Sequence, residues 1–239
     1  MAPFLSIIIP AHNEESRLPS TLEAVFDFLG GQPYSAEVIV VDNASHDRTA
    51  EIARAQATLH PNLRVESQTV IGKGAAVRAG ILAARGDFRF ICDADLSMPI
   101  QEIRQFLPPA LDGFDVAIGS RELPGSSRHD EPAYRHWIGR AFNTLVRWMA
   151  IPAFQDTQCG FKCFRGEVAE ELFRQQRLDG WTFDVEVLFL ALRRGYRVVE
   201  VPISWYYVPG SRVRVIADSF AMFFDLIRIR RNWNRGLYA

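Results

Sequence analysis

Four short, largely apolar runs punctuate the first half of the chain: Leu5–Ile9, Glu37–Val41, Phe88–Cys92 and Val116–Ile118. Each has strand length, is rich in β-branched or aromatic residues, and lacks the polar alternation of a half-solvated strand, so each is expected to be covered on both faces. Between them, Arg17–Leu29, Thr49–Gln56 and Ala75–Ala84 carry apolar residues at helical spacing, the second introduced by the turn-and-cap string DNASHDRTAE. Strands buried on both faces and alternating with helices predict an α/β protein with a mostly parallel, doubly wound sheet flanked by helices.

After Ser120 the pattern changes. The loop ELPGSSRHDEP leads to a predicted helix at Tyr134–Met149, a turn at DTQCGF, a short strand at Lys162–Phe164, and helices at Glu167–Gln175 and Phe183–Arg193. In the following strand, RVVEVPISWYYV, Pro202 offers no N–H to a ladder, which places the strand at an edge or at a bulge. A strongly apolar helix closes the chain. The expected organisation is one domain over 1–211, built from halves 1–121 and 122–211, with a helical extension at 212–239. A loop-rich second half is where a second substrate would enter.

Composition narrows the possibilities. A chain of 239 residues with 48% hydrophobic content buries one large core, or at most two small ones, without metals or disulfides. Its formal net charge of -1 lacks the broad positive field of a nucleic-acid binder, so no nucleic-acid partner is expected. Lys73 and Lys162 are the sole lysines; all other basic side chains are arginine, whose planar fork suits phosphate. Cys92 ends an apolar strand and reads as core. The CGFKC spacing of Cys159 and Cys163 lacks the second pair that a zinc site needs. No signal-peptide pattern opens the sequence and no run approaches the ~20 apolar residues that span a bilayer, which predicts a cytoplasmic protein, at most peripheral on the cytoplasmic face of a membrane.

Ligands of open parallel sheets bind beyond the carboxyl ends of the strands. The residues there are Pro10, His12, Asn13 and Glu14, then Asp42 and Asn43, then Asp93 and Asp95, then Ser120 and Arg121. An Asp-x-Asp at a strand end, aligned with three other polar strand ends, suits a divalent cation that neutralises a departing nucleoside diphosphate. Asp95 is expected as the main metal ligand, with Asp93 on the metal through water or on a ribose. Asp42 resembles the acid that holds a ribose or base in dinucleotide folds, but no G-x-G-x-x-G accompanies it, which disfavours a dehydrogenase. The Gly72-Lys73-Gly74 loop either approaches phosphates or merely spaces strand from helix, and it lacks a Walker pattern.

The strings SIIIPAHNEE, EVIVVDNASHDRT, GKGAAVRAG, FICDADLSMP, VAIGSR, DTQCGFKCF and GWTFDVEVLFLALRRGYRVVEVPISW together resemble the family 2 glycosyltransferases, and within them the polyprenyl- or dolichyl-phosphate sugar synthases. The DTQCGFK and GWxFDVE strings resemble the dolichyl-phosphate β-glucosyltransferase branch. The resemblance implies a GT-A fold and an inverting transfer from a UDP- or GDP-sugar, with Mg²⁺ or Mn²⁺. By position, Pro10, His12 and Glu14 would line the nucleotide with Asp42 on its base or ribose, while Asp95 would hold metal with Asp93 and Ala94 beside it. Ser97 stands where many relatives carry a metal-assisting glutamine, and Asn43 where many carry a second aspartate. Arg121 and Arg135 match positions that hold the lipid phosphate; a surface salt bridge is the other reading of each. Lys73, and Arg212 or Arg214, would add charge at the phosphates, and Asp184 and Glu186, two residues apart on one helix, would not both face the acceptor.

From Arg212 to Arg235 six arginines accompany an apolar helix, with a polar stripe through Arg214, Asp218, Asp225 and Arg228. Such a helix either lies in a membrane interface or packs on protein, on this domain or on a second subunit of a homodimer, and an integral membrane partner is a further possibility. The competing functions are transfer to a glycan or soluble acceptor on the same fold, NDP-sugar synthesis from an NTP, and nucleotide-sugar binding without turnover.

Overall fold

The computed structural model describes residues 2–132, 144, 146, 151, 153–208 and 215–238, with side chains from 221 onward in the last segment. The predicted Tyr134–Met149 helix lies outside the described residues, apart from the helical positions Thr144 and Val146. Arg135, Arg212 and Arg214 lie outside them as well.

Seven strands form the main sheet: β1 (Leu5–Ala11), β2 (Ala36–Asp42), β3 (Leu63–Ser67), β4 (Phe88–Ile91), β5 (Val116–Ser120), β7 (Lys162–Arg165) and β8 (Val198–Pro202), in the order β3-β2-β1-β4-β7-β5-β8. β7 runs antiparallel to both neighbours and the other pairings are parallel. β6 (Ser127–His129) pairs in parallel with β9 (Ser204–Tyr206) in a separate two-stranded sheet. The helices are α1 (Leu18–Gly30), α2 (Thr49–Leu59), α3 (Lys73–Ala83), α4 (Gly166–Gln175), α5 (Phe183–Arg193) and α6 (Val215–Asn234), with a 3₁₀ helix at Ile100–Phe106.

The apolar runs are buried on both faces for the reason their composition suggested. Successive strand side chains point to opposite faces. Ile8, Ile39 and Ile91 therefore join one core with Val77 of α3, Leu172 of α4 and Leu188 of α5. Ile7, Ile9, Val38 and Phe90 join the other, with Leu22 of α1, Ala53 of α2 and Phe106. Each of these Ile, Val, Leu and Phe side chains contributes about 1.5–3 kcal/mol when fully buried.

The differences from expectation have physical causes. β3 was not predicted because Arg64 and Glu66 interrupt its apolar character; it is an edge strand where the two side chains pair at 3.0 Å. The single strand expected around Pro202 is two. Pro202 ends β8 at the sheet edge, and after Ile203 the chain leaves as β9. The halves on either side of residue 121 share one sheet, since β7 lies between β4 and β5.

Along α6, Met222, Leu226 and Ile229 are buried in the first core, and Trp233 meets Phe189 edge to face at 5.8 Å. Asp225, one residue of the polar stripe, accepts a hydrogen bond from Thr182 Oγ1 at 2.8 Å. Phe224 and Ile227 remain exposed beside Arg228, Arg230 and Arg231. Among the described residues no helix is long and apolar enough to cross a membrane.

Candidate active site

Beyond β4 the backbone runs through Cys92, Asp93, Ala94 and Asp95 and turns at Leu96, a non-glycine residue at φ 45°. Neighbouring elements pin this turn. Thr21 of α1 donates to the Ala94 carbonyl at 2.7 Å, the Ser97 amide donates to Asp95 Oδ1 at 3.0 Å, and the Tyr206 amide of β9 donates to the Ser97 carbonyl at 2.7 Å. Ser97 thus serves the turn through its backbone. Such multiple anchoring is what a preorganised site requires, because a misplacement of about 1 Å can cost 10²-fold in rate.

Both lysines of the chain are here. Lys73, the first residue of α3, places Nζ 2.6 Å from Asp93 Oδ1. Lys162, at the start of β7 and 1% exposed, places Nζ 2.8 Å from Asp184 Oδ1 and also donates to the Cys159 carbonyl. Asp184 lies close enough to Lys73 to act on its charge, so the groups form an alternating series, Lys162, Asp184, Lys73, Asp93. Burial pulls the Lys73 ammonium down, but Asp93, Asp184 and Asp95 outweigh it and hold its pKa above the usual lysine value. Burial raises the Asp184 carboxyl, with Lys162 and Lys73 only partly offsetting it. A compact ammonium fits between carboxylates where a guanidinium fork would need more room.

Close packing leaves little room for a side chain at Gly160 and Gly72. A Cβ on Gly160 would stand 1.9 Å from Asp93 Oδ2, and one on Gly72, already at φ +148°, would stand 2.1 Å from the Asp179 carbonyl oxygen. The Gly72–Gly74 loop is held from two sides: the Ala75 amide donates to Asp179 O, in the segment before α5, at 3.2 Å, and the Gly72 amide to Asn43 Oδ1, just after β2, at 2.8 Å. Those two amides are committed to the fold, and the lysine charge goes to Asp93.

The ends of β1 and β2 are joined by polar contacts. His12 Nδ1 lies 2.6 Å from the Asn43 carbonyl, the Asn13 amide donates to Ser45 Oγ, and the Glu14 amide donates to Thr49 Oγ1. Glu14 also pairs with Arg17 at 3.1 Å. Pro10 and Ala11, the last residues of β1, stand opposite Val41 and Asp42 of β2, and Asp42 Oδ1 receives the Ser45 amide at 3.4 Å. Asn43 is a buried staple: its Nδ2 donates to the Gln68 and Val70 carbonyls at 3.1 and 2.7 Å, and its Oδ1 takes the Gly72 amide. An aspartate could make neither donation.

After β5, Arg121 is clamped by Asp156. Its Nε and Nη2 donate to the two carboxylate oxygens at 2.7 and 3.0 Å, its backbone amide donates at 3.1 Å, and its guanidinium lies 5.7 Å from the Trp205 ring centroid. Burial works against both charges, yet the partners prevail: Arg121 is raised and Asp156 is lowered to about 2. Asp184 and Glu186 part as expected, for Glu186 instead accepts the amides of Arg177 and Leu178 and the Tyr238 hydroxyl. Roles for Asp156, Gly160 and Lys162 were not foreseen. The one available signal was a lysine in an otherwise apolar strand of a chain with just two lysines.

Among the described residues no three His, Cys, Asp or Glu side chains form a metal cage. Mg²⁺ does not need one, since it is commonly held by one or two carboxylates together with substrate phosphates. The hard oxygens of Asp95, beside an Asp93 already balanced by Lys73, suit such a cation. The three cysteines are buried and unbridged, and burial raises the Cys159 thiol to about 12, unsuited to binding metal as thiolate at neutral pH.

Residues 6–173 match the family described as glycosyl transferase family 2. The chain belongs to that family. The family 2 match contains Asp93, Asp95, Arg121, Asp156 and Lys162 and ends before Asp184. Similar curated proteins include dolichyl-phosphate beta-glucosyltransferases of Drosophila melanogaster, 35% identical over 98% of this chain and 75% of the relative, and of Homo sapiens, 30% identical over 98% and 77%. The Dictyostelium discoideum protein of the same name is 32% identical over 98% and 76%. Among solved structures, glucosyl-3-phosphoglycerate synthase from Mycobacterium tuberculosis, in complex with Mn²⁺, UDP-glucose and phosphoglyceric acid, superposes with a TM-score of 0.65 at 19% identity, covering 95% of this chain and 78% of that one. The family 2 chain shares this GT-A fold.

Proposed function

We propose that the protein transfers glucose from UDP-glucose to a dolichyl or other polyprenyl phosphate, with inversion at the anomeric carbon, at the cytoplasmic surface of a membrane. The observation that carries this reading is the Asp93–Ala94–Asp95 turn at the β4 end with Lys73 on Asp93, in a chain 30–35% identical, over nearly its whole length, to proteins named for glucosyl transfer to dolichyl phosphate.

A phosphate monoester has a second pKa of about 6 and is largely dianionic at neutral pH, so it is a nucleophile without a strong base. Its oxygen forms a bond to the anomeric carbon as the bond from that carbon to the diphosphate oxygen breaks, and UDP leaves with the electron pair. Mg²⁺ or Mn²⁺ held through Asp95, with Asp93 alongside, would neutralise charge on the leaving diphosphate. Lys73 fixes Asp93 and keeps the turn in place. Pro10, His12, Glu14 and Asp42 line the nucleoside, and Arg121, held rigid by Asp156, orients the acceptor phosphate together with Arg135. Arg212 or Arg214 supplies further positive charge for the leaving diphosphate.

The test is a transfer assay with radiolabelled UDP-glucose or GDP-mannose and a short polyprenyl phosphate in detergent, with metal or chelator. Metal-dependent label from UDP-glucose in the organic phase is expected. Label from GDP-mannose alone would reassign the donor, and nucleotide binding with no organic-phase label would reassign the acceptor.

A further inference from the structure

Away from the strand-end site, four arginines line one cavity of about 510 Å³. Arg78 comes from α3, Arg174 from the last turn of α4, Arg177 from the loop after it and Arg228 from α6. The remaining wall is amide and aliphatic, with no carboxylate. In a chain of net charge -1, such a wall is a local concentration of positive potential against its background. The cavity shares no lining residue with the Lys73, Asp93 and Asp95 cluster.

Two of the four forks are held in place by backbone carbonyls. Arg78 Nη1 donates to the Gln176 carbonyl at 3.0 Å, and Arg177 Nε and Nη2 donate to the Leu237 carbonyl at 2.9 and 2.6 Å. Arg78 also meets Asp179 at 3.3 Å and Arg174 meets Glu170, so part of the charge is balanced from outside the cavity. Planar, prefixed guanidiniums approaching one space from separate elements are the chemistry that recognises phosphate. The volume is that of a small-ligand site.

We infer that this cavity binds a phosphate-bearing anion at a site separate from the transfer centre. The group belongs either to a free phosphate ester or to the headgroup of an anionic lipid. The wall is tied to the start of α3: Gln176 Nε2 donates to the Gly74 carbonyl at 2.9 Å and to the Leu178 carbonyl at 2.7 Å. An anion seated there would therefore stiffen the segment that positions Lys73.

The test uses the full chain, with inorganic pyrophosphate followed by titration calorimetry and vesicles of phosphatidylcholine with or without phosphatidylglycerol followed by flotation. The variants are Arg177→Gln with Arg228→Gln, Arg174→Gln alone, and Arg54→Gln on the exposed side of α2 as control. Each guanidinium removed from the cavity should weaken binding about tenfold, the control not at all. Pyrophosphate binding that follows this pattern supports a free phosphate ester; vesicle binding alone that follows it supports a lipid headgroup. No binding of either probe, equal binding by wild type and cavity variants, or an equal loss in the control overturns the inference. Arg174, 68% exposed at the rim, keeps the test valid should the double variant unfold.

Discussion

Lys73 Nζ lies 2.6 Å from Asp93 Oδ1, so the first carboxylate of the Asp93–Ala94–Asp95 turn is held by a cation of the protein itself. The two side chains are 18% and 24% exposed, enough shielding for the pairing to matter. Lys73→Met leaves Asp93 uncompensated and frees the turn. The expected result is a stability loss of about 1–3 kcal/mol in chemical denaturation and a fall in transfer rate of about 10²-fold or more. Wild-type turnover by this variant would remove Lys73 from the machinery.

Gly160→Ala drives a methyl group into Asp93 Oδ2. Asp93 must move or β7 must shift, and either displaces the turn. Activity should fall about 10²-fold with only a modest change in melting temperature, since the clash is relieved by one side chain. A loss of stability in proportion to the loss of activity would mean that the strand, not the carboxylate, gives way.

Asn43→Asp is nearly isosteric, yet it removes two donated hydrogen bonds and turns a carboxylate toward the Gln68 and Val70 carbonyls. With this side chain buried, the cost should be about 2–3 kcal/mol. The released 68–72 segment should raise the donor KM more than it lowers kcat, as steady-state kinetics would show.

Asp156 has a folded-state pKa of about 2, below its ordinary 3.8, because Arg121 outweighs the opposing effect of burial. A depressed carboxylate stabilises the fold above its unfolded pKa, and that stabilisation is lost as pH falls through the folded value. The contribution is about 2 kcal/mol at neutral pH, lost between about pH 4 and 2. Denaturation of wild type and Asp156→Asn across that window should show their stability difference shrinking by about this amount. A difference independent of pH would rule out the charge on Asp156 as its source.

Local pattern determined much of this protein. The strands Leu5–Ala11, Ala36–Asp42 and Phe88–Ile91 and the helices that cover them follow from side-chain periodicity, and strands apolar on both faces required two covering layers. The polar residues at their carboxyl ends, Asp42, Asp93 and Asp95 among them, are therefore legible in the sequence as one rim. The partners of those residues were not legible. Arg121 meets Asp156 across 35 positions of sequence, and Asp93 meets Gly160 only because β7 enters the sheet antiparallel between β4 and β5. The same insertion brings Lys162 to Asp184, and the packing of α5 against α6 and the chain end turns Glu186 to Tyr238. Periodicity encodes which face of an element is apolar, a property of a few adjacent residues. Which distant elements then touch is set by the packing of the whole core, where strand order, close approach at glycine and the pairing of buried charge are decided together.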